Sequence, residues 1–230
     1  MALALILVGT SAFSSTPSAF DLLIPAGWKL ISSTTGDLNR DGVEDAALVL
    51  EETNPSNIKP NDGLGPPVLN LNPRRLLVLV GTSNGYRKAF SRDDLLPAEN
   101  QEGMGCLADP LANGGVSIAR GNLVIELQDW RSCGSYGVVN EKFTFRTQGT
   151  RFQLIGYDRS ESSRSTGERS EYSTNYLTGQ KKITTGLNDF HDLKPEVYWK
   201  RLTAKRAFFL DEISLYCDAA DVAQKDNWCQ

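Results

Sequence analysis

Three pairs of short segments, each joined by a tight glycine-bearing turn, constrain the fold of this chain more than any other feature. The pairs are 116–120 with 123–128, 142–147 with 152–157, and 172–177 with 181–185. In the first pair, Leu123, Ile125 and Leu127 alternate with polar residues, which is the period-two pattern of a half-buried strand. Consecutive hairpins with short turns predict antiparallel meanders.

Other strands are predicted on either side of these hairpins. Segment 74–81 (RRLLVLVG) is a continuous apolar run of strand length, which indicates a central strand buried on both faces. Segments 28–33 and 45–51 read as two strands around a polar loop. Together with the hairpins they predict an all-β fold of antiparallel meanders in residues 20–230, as one domain.

The remaining segments are less regular. Segments 53–73 and 93–105 are predicted as loops, the first because it is rich in Pro, Asn and Gly. Segment 158–170 (DRSESSRSTGERS) is charged, rich in serine and without a core residue, so it is predicted as an exposed mobile loop or a disordered one. Segment 195–205 is the only one with helical propensity, and its aromatic residues suit a strand equally well.

The first residues predict export. Residues 2–12 form a compact apolar run that is followed by small and polar residues. The run is shorter than the ~20 residues that a membrane-spanning helix needs, and it has the length of a signal-peptide core. We therefore expect residues 1–19 to be a signal peptide and leader, and the protein to be periplasmic or secreted. The alternative is a buried N-terminal strand or helix.

The cysteines agree with an oxidising compartment. Cys106, Cys133, Cys217 and Cys229 have no zinc-ligand spacing, and an even number of cysteines in an exported chain indicates disulfides. Three pairings are possible. We favour the local one, Cys106 with Cys133 and Cys217 with Cys229.

The composition gives little reason to expect nucleic acid as a partner. The chain has a formal net charge of -4, whereas nucleic-acid-binding domains are typically basic. Hydrophobic residues make up 40% and charged residues 23%, as in an ordinary folded protein.

One loop has the spacing of a calcium site. In 36–45 (GDLNRDGVED), Asp37, Asn39, Asp41 and Asp45 stand at positions 1, 3, 5 and 9, and the carbonyl of Val43 stands at position 7. Oxygen ligands at alternate positions can converge on one hard cation, and a glycine at position 6 permits the sharp turn. A strand-like segment follows, which excludes an EF-hand. The alternative is an Asp/Asn-rich turn held by its own side-chain to backbone hydrogen bonds.

This loop and the strand after it resemble the calcium loop of FG-GAP/VCBS-type repeats in integrin-like β-propellers, although the motif occurs once here. More loosely, the leader, the single loop and the meanders resemble small periplasmic proteins with a propeller-like fold. Some of those proteins inhibit lysozymes or act as immunity proteins against peptidoglycan-cleaving effectors. The resemblance implies a small or incomplete β-propeller-like domain with a structural calcium ion, acting on a peptidoglycan hydrolase by protein–protein contact.

Few residues point to catalysis, so we expect a protein that is not an enzyme. A Ser-His-Asp or Cys-His arrangement would have to use the single histidine, His191, which is predicted in a surface turn. Glu126 and Asp129 lie near a strand end and could act as the acid and base of a glycosidase. A hydrolase with an unrecognised site is therefore the third hypothesis.

Two segments are candidates for binding a partner. The turn 132–137 (SCGSYG) presents Tyr136 and resembles faintly the loop that some lysozyme inhibitors insert into the enzyme's cleft; an ordinary glycine-rich turn is the alternative. In the predicted loop 158–170, Arg159, Arg164 and Arg169 could meet the catalytic carboxylates of a hydrolase. The leading hypothesis is an inhibitor or immunity protein, and the second is an exported calcium-dependent adhesion or glycan-binding module.

Overall fold

The computed structural model describes residues 20–202 and 206–215, and their secondary structure is almost entirely β. Two single-turn 3₁₀ helices cover Asp21–Leu23 and Pro55–Asn57. The strands are β1 (Trp28–Gly36), β2 (Asp45–Glu52), β3 (Ile58–Pro60), β4 (Val68–Asn70), β5 (Arg74–Thr82), β6 (Gly85–Leu96), β7 (Gly115–Ala119), β8 (Asn122–Trp130), β9 (Gly137–Gln148), β10 (Arg151–Ser163), β11 (Glu168–Asn175), β12 (Gln180–Asn188) and β13 (Glu196–Arg201). The predicted all-β fold is confirmed.

The first sheet has four antiparallel strands in the order β1-β2-β5-β6. Its two central strands are buried on both faces, which explains their nearly continuous apolar sequences. On β2, Leu48 faces a small cluster closed by Phe20, while Val49 faces the main core. Segment 74–81 is therefore the buried central strand that its composition predicts. In the chain segment that connects β2 to β5, β3 and β4 form a separate two-stranded ribbon.

The second sheet is a seven-stranded antiparallel meander in the order β13-β12-β11-β10-β9-β8-β7. Its neighbours in space are neighbours in sequence because short turns join them. The first turn places both Arg120 (φ 55°) and Gly121 (φ 73°) at positive φ, as a type I′ hairpin requires. The three predicted hairpins are confirmed as β7–β8, β9–β10 and β11–β12.

The two sheets share one main core. Its fully buried side chains come from β2, β5 and β6 of the first sheet, from β8, β9 and β10 of the second, and from the segment after β13. The largest include Leu76, Leu95, Leu123, Ile125, Phe143, Phe145, Leu154 and Leu210. In that last segment, Phe208 and Leu210 are backbone-bonded to the start of β10. No buried residue of this core lies in β11, β12 or β13, so these three strands extend the second sheet past the core.

A propeller-like arrangement is not confirmed. The blades of a propeller are similar four-stranded sheets set radially around a channel. Here a four-stranded and a seven-stranded sheet enclose a common core, and the described strands form neither a propeller nor a closed barrel.

The loop predictions need correction at three segments. Segment 53–73 is not wholly irregular, because it contains the 3₁₀ helix Pro55–Asn57 and the ribbon of β3 and β4. Segment 158–170 is not a loop, because its two ends are the paired strands β10 and β11, with a short turn between them. For segment 195–205 the sequence allows a helix or a strand; its described part contains no helix, and Glu196–Arg201 forms β13. The loop predicted at 93–105 begins late, since β6 continues to Leu96 and buries Leu95 and Leu96 in the main core. The predicted leader, 1–19, and the Cys217–Cys229 pair lie outside the described residues.

Candidate functional site

The acidic loop 37–45 connects β1 to β2, and its first half is closed by the carboxylate of Asp37. One oxygen of Asp37 accepts from the backbone N–H of Arg40 at 2.6 Å, and the other accepts from that of Gly42 at 3.0 Å. Both donors lie in the left-handed region, with φ of 64° at Arg40 and 82° at Gly42. Glycine adopts such a φ readily, which explains Gly42 at the sharp bend.

The middle of the loop has the same kind of bonding. The amide oxygen of Asn39 accepts from Asp41 N at 2.9 Å, and Asp41 Oδ1 accepts from Val43 N at 2.8 Å. The Asn39 amide also donates to Asp41 Oδ2 at 2.8 Å. These are the side-chain to backbone bonds that the alternative, a self-held Asp/Asn turn, predicts.

Asp45, the first residue of β2, fixes the base of the loop. Its side chain is fully buried, and its two oxygens accept from Leu38 N at 2.8 Å and from Gly81 N at 2.9 Å. Gly81, on β5, lies so close that a Cβ there would be 2.3 Å from the carbonyl oxygen of Glu44. The loop is therefore held to the third strand of the sheet as well as to its own ends.

The donor chemistry of the loop suits calcium: three carboxylates, one amide oxygen and one carbonyl. Each carboxylate oxygen that already accepts an N–H keeps a further lone pair. Within the described ranges, no group of three or more His, Cys, Asp and Glu side chains is close enough to hold a metal ion. Calcium binding by Asp37, Asn39, Asp41, Val43 and Asp45 stays a prediction.

The predicted disulfide between Cys106 and Cys133 is confirmed, with its Cα atoms 5.5 Å apart. It ties the loop after β6 to the turn between β8 and β9. Tyr136 lies in this turn with 66% of its surface exposed. The turn therefore presents the tyrosine to solvent, as the sequence predicts.

Arg164 holds this turn through hydrogen bonds to its backbone and through stacking on Trp130. Its guanidinium donates to the carbonyl oxygens of Arg131 at 2.5 Å and Ser135 at 2.9 Å, and it stacks over the Trp130 ring at 4.6 Å. Its backbone N–H donates to the carbonyl of Tyr136 at 2.9 Å. Arg164 thus holds the turn in place and is not the free cation that the sequence predicts.

Two further apolar side chains lie beside the disulfide. Leu64 is 74% exposed and Met104 is 41% exposed, and both line a cleft that also includes Cys106 and Cys133. Their loops touch: a Cβ on Gly65 would be 2.0 Å from the carbonyl oxygen of Gly105. We call Leu64, Met104, the disulfide and the turn 132–137 the disulfide end. Sequence reasoning missed Leu64 and Met104, although each stands between two glycines, in GLG and GMG, a pattern that marks an apolar residue at a loop tip.

The other two arginines of the predicted loop are also paired within the chain. Arg159 donates to Glu161 at 2.6 Å and to Glu141 at 2.8 Å. Burial alone lowers the pKa of Arg159, but these two carboxylates raise it above its ordinary value. Arg169 pairs with Glu171 at 2.7 Å and with Asp189 at 3.1 Å. The structure therefore does not bring Arg159, Arg164 and Arg169 together as a free cationic surface.

Glu126 and Asp129, the candidate acid and base of a glycosidase, do not face each other. Glu126 and Asp129 lie three positions apart on β8, so they point to opposite faces of the sheet. Glu126 pairs with Lys142 at 3.0 Å and Asp129 with Arg131 at 2.9 Å. His191 is exposed in a turn after β12, as predicted. The two carboxylates do not form the facing pair of a glycosidase.

A further pattern associated with catalysis lies in the turn between β5 and β6. Residues 81–85 (GTSNG) have the G-x-S-x-G spacing of a hydrolase nucleophile elbow, which joins a strand to a helix. Here the segment joins β5 to β6 as a hairpin turn, closed by a 2.8 Å bond from the Thr82 hydroxyl to the Gly85 carbonyl. The turn lacks the strand-to-helix geometry that exposes an elbow serine.

Sequence reasoning also missed a polar groove on the second sheet. Its volume is about 420 Å³, and its floor includes Glu126, Asn140, Lys142, Asp158 and Ser173. The floor is crosslinked, because Ser173 donates to Asp158 at 2.6 Å and Lys142 pairs with Glu126. Only the register of four consecutive strands brings these residues into neighbouring rows.

Comparisons with known proteins found no family model, curated protein or solved structure that matches this chain. Among the described residues, no helix has the length and apolar character to cross a bilayer.

Proposed function

We propose that this protein is an exported binding protein that acts by protein–protein contact, as an inhibitor or immunity protein against a peptidoglycan-cleaving effector. The observation that carries the proposal is the exposed Tyr136, in a turn that is fixed by the Cys106–Cys133 disulfide and by Arg164. A large aromatic side chain on a pre-ordered turn loses little conformational entropy when it binds.

The residues beside the Cys106–Cys133 disulfide also fit a protein interface. Exposed apolar side chains at Leu64 and Met104 add contact area, and the polar groups of Arg131 and Ser132 lie around the disulfide. Protein interfaces commonly combine an aromatic centre with a polar rim. An exposed aromatic side chain on an ordered turn fits a concave partner surface, such as the substrate cleft of a muramidase or amidase.

The proposal is tested by measuring whether the purified chain slows peptidoglycan cleavage by a panel of muramidases and amidases. Tyr136→Ala should weaken binding by at least about thirtyfold, the loss expected of a central aromatic hot spot. The matched control is Leu177→Ala, which removes another exposed large side chain from a turn outside the disulfide end. Equal inhibition by both variants, or no inhibition of any enzyme by the parent chain, would contradict the proposal.

We further propose that the loop 37–45 binds one structural calcium ion through Asp37, Asn39, Asp41, Val43 and Asp45. The oxygen-rich donor set and the bend at Gly42 support this assignment. When bound, the ion neutralises clustered carboxylates and stabilises the folded state by mass action.

Calcium binding is measured by calorimetry and by thermal unfolding. Calcium at about a hundred times its Kd should stabilise the protein by about 2.7 kcal/mol. Asp41→Asn should abolish this effect because it removes a ligand charge, whereas Asp62→Asn, at another exposed aspartate, should leave it unchanged. A calcium effect that persists in Asp41→Asn would place the ion elsewhere.

The groove on the second sheet favours a glycan-binding module as the second candidate. Its carboxylate, amide, ammonium and hydroxyl groups are the groups that hydrogen-bond sugars, and Tyr172 lies along one side. Retention on immobilised peptidoglycan or soluble glycans, lost in Asp158→Ala but kept in Tyr136→Ala, would favour this candidate over the first.

A further inference from the structure

The outermost strand of the second sheet, β13, has an unusual environment. Within the described residues it pairs only with β12, and all six of its residues are exposed. Val197, Tyr198 and Trp199 are large apolar or aromatic residues in its centre. An exposed edge strand with such a sequence is a template for pairing with another strand.

The backbone directions of β13 are fixed by its pairing with β12. Leu202 N donates to the carbonyl of Gly179, which continues the register of the two strands. Because backbone directions alternate along an antiparallel strand, the N–H and C=O groups of Val197 and Trp199 point to the free edge. Among the residues that the structure describes, these four groups have no backbone partner, so they can form a ladder with a neighbouring strand.

The sequence of β13 is complementary to its own copy. In an antiparallel pair with a two-fold axis at Tyr198, Glu196 lies opposite Lys200 of the second copy, and Val197 lies opposite Trp199 of the second copy. The axis then brings the two Tyr198 residues face to face. Shifting the axis to Trp199 would instead place Tyr198 opposite Lys200 and remove both opposite-charge pairs.

The charge of Lys200 supports the same register. Across β12 it lies directly opposite Lys181, and like charges in that position are unfavourable. Among the described residues Lys200 forms no ion pair, whereas Glu196 bonds to the hydroxyl of Tyr198. In the dimer each Lys200 would face one Glu196 of the other copy, which gives two opposite-charge pairs, one on each side of the axis.

We propose that β13 is a self-pairing edge, through which two copies of this chain form an antiparallel β-ladder centred on Tyr198. The ladder uses the outward groups of Val197 and Trp199 and two Glu196–Lys200 pairs. Because a strand of six residues buries less area than a standard interface, the dimer is weak and depends on concentration. This surface is separate from the disulfide end, so it does not depend on the function proposed above.

The first test is sedimentation equilibrium of the full chain from about 1 μM to about 1 mM. Lys200→Glu replaces two attractive pairs with two repulsive ones and should raise the dimer Kd at least about tenfold. The double variant Glu196→Lys, Lys200→Glu exchanges the charges and should restore the parent Kd. Lys59→Glu, the same charge change at an exposed residue of β3, is the matched control and should leave the Kd unchanged.

The second test locates the axis. Tyr198→Cys places two thiols in a non-hydrogen-bonded antiparallel pair, with Cα atoms about 4.5 Å apart, so air oxidation should give a disulfide-linked dimer. Arg201→Cys lies six positions away from Arg201 of the second copy in this register, which separates the thiols by about 20 Å. This variant should therefore give no disulfide-linked dimer. A chain that sediments as a monomer throughout, a charge exchange that fails to restore the Kd, or equal crosslinking of both cysteine variants would overturn the proposal.

Discussion

Replacing Arg74 with methionine should destabilise the protein severely, because it breaks a buried ion-pair network. Arg74 has 2% of its side chain exposed, and it donates two bonds to Asp109, at 2.6 and 2.8 Å, and one to Glu51 at 3.2 Å. Glu51, 1% exposed, keeps bonds from Lys29 at 2.8 Å and Asn70 at 2.9 Å. Removing one partner of such a pair leaves a buried charge undercompensated, which costs about 3–5 kcal/mol.

The next residue on the same strand is a matched control. Arg75 forms a bidentate pair with Asp93 at 2.5 and 2.7 Å, and its guanidinium stacks over Trp28 at 4.0 Å. Asp93 is 49% exposed, however, so solvent screens the pair. Arg75→Met should therefore cost only about 0–1 kcal/mol, plus about 0.5–1 kcal/mol for the ring contact.

Urea unfolding followed by tryptophan fluorescence measures both free energies. The expected order is a large loss for Arg74→Met and a small one for Arg75→Met, with similar m-values. If the two variants lose equal stability, or if Arg74→Met loses less than about 1 kcal/mol, burial of the network does not contribute as described. Arg74→Met combined with Glu51→Gln should lose less than the sum of the single variants, because both changes disrupt the same contacts.

Three further predictions concern acid, the disulfide and the close approach at β5. Burial raises the pKa of Glu51, but hydrogen bonds from its three donors lower it below the ordinary value near 4.5. The ionised Glu51 carboxylate therefore contributes to the free energy of unfolding above about pH 4.5, and this contribution is lost as the pH falls through the lower pKa of the folded state. Glu51→Gln should accordingly cost less stability at pH 3 than at pH 7 in denaturant titrations. Replacing Cys106 and Cys133 with serine should cost about 3–4 kcal/mol by loop-closure entropy, and no change in melting temperature would contradict this. Gly81→Ala, which sets a methyl against the Glu44 carbonyl, should lower the melting temperature by several degrees, and unchanged melting would show that β5 can move away.

The regular part of the fold was readable from the sequence because local patterns and tertiary burial agree there. Leu123, Ile125 and Leu127 alternate, and the structure buries all three in the main core. The apolar run of β5 predicts burial on both faces, and the structure provides it. Leu76 and Val78 pack in the main core on one face, and Leu77 and Leu79 pack in the cluster closed by Phe20 on the other. The glycines of the short turns then mark where each hairpin reverses direction.

The polar strands could not be predicted in the same way. Segment 158–170 has no apolar alternation that would predict a strand. Its strands are stabilised instead by polar cross-strand partners, such as Arg159 with Glu141. Those partners lie far apart in the sequence. β13 has apolar residues but no buried face, so its strand state depends on pairing with β12.

The candidate site was predicted only in its most local features. The exposure of Tyr136 and the Cys106–Cys133 bond follow from a short turn and a local pairing, and both are confirmed. The role of Arg164 could not be read from sequence, because it depends on carbonyl groups about thirty residues earlier in the chain. Its charge predicted a partner outside the molecule, whereas the structure gives it one within.

The extension of the second sheet beyond the core has a consequence for amide hydrogen exchange. Strands β8, β9 and β10 lie over buried side chains, so their amides should exchange only through global unfolding. In β11, β12 and β13 little apolar area is lost when the ladder separates, so their amides should exchange through local opening at lower free energy. The free energy of opening measured by amide exchange should therefore decrease stepwise from β10 to β13, with the lowest value at the outermost strand.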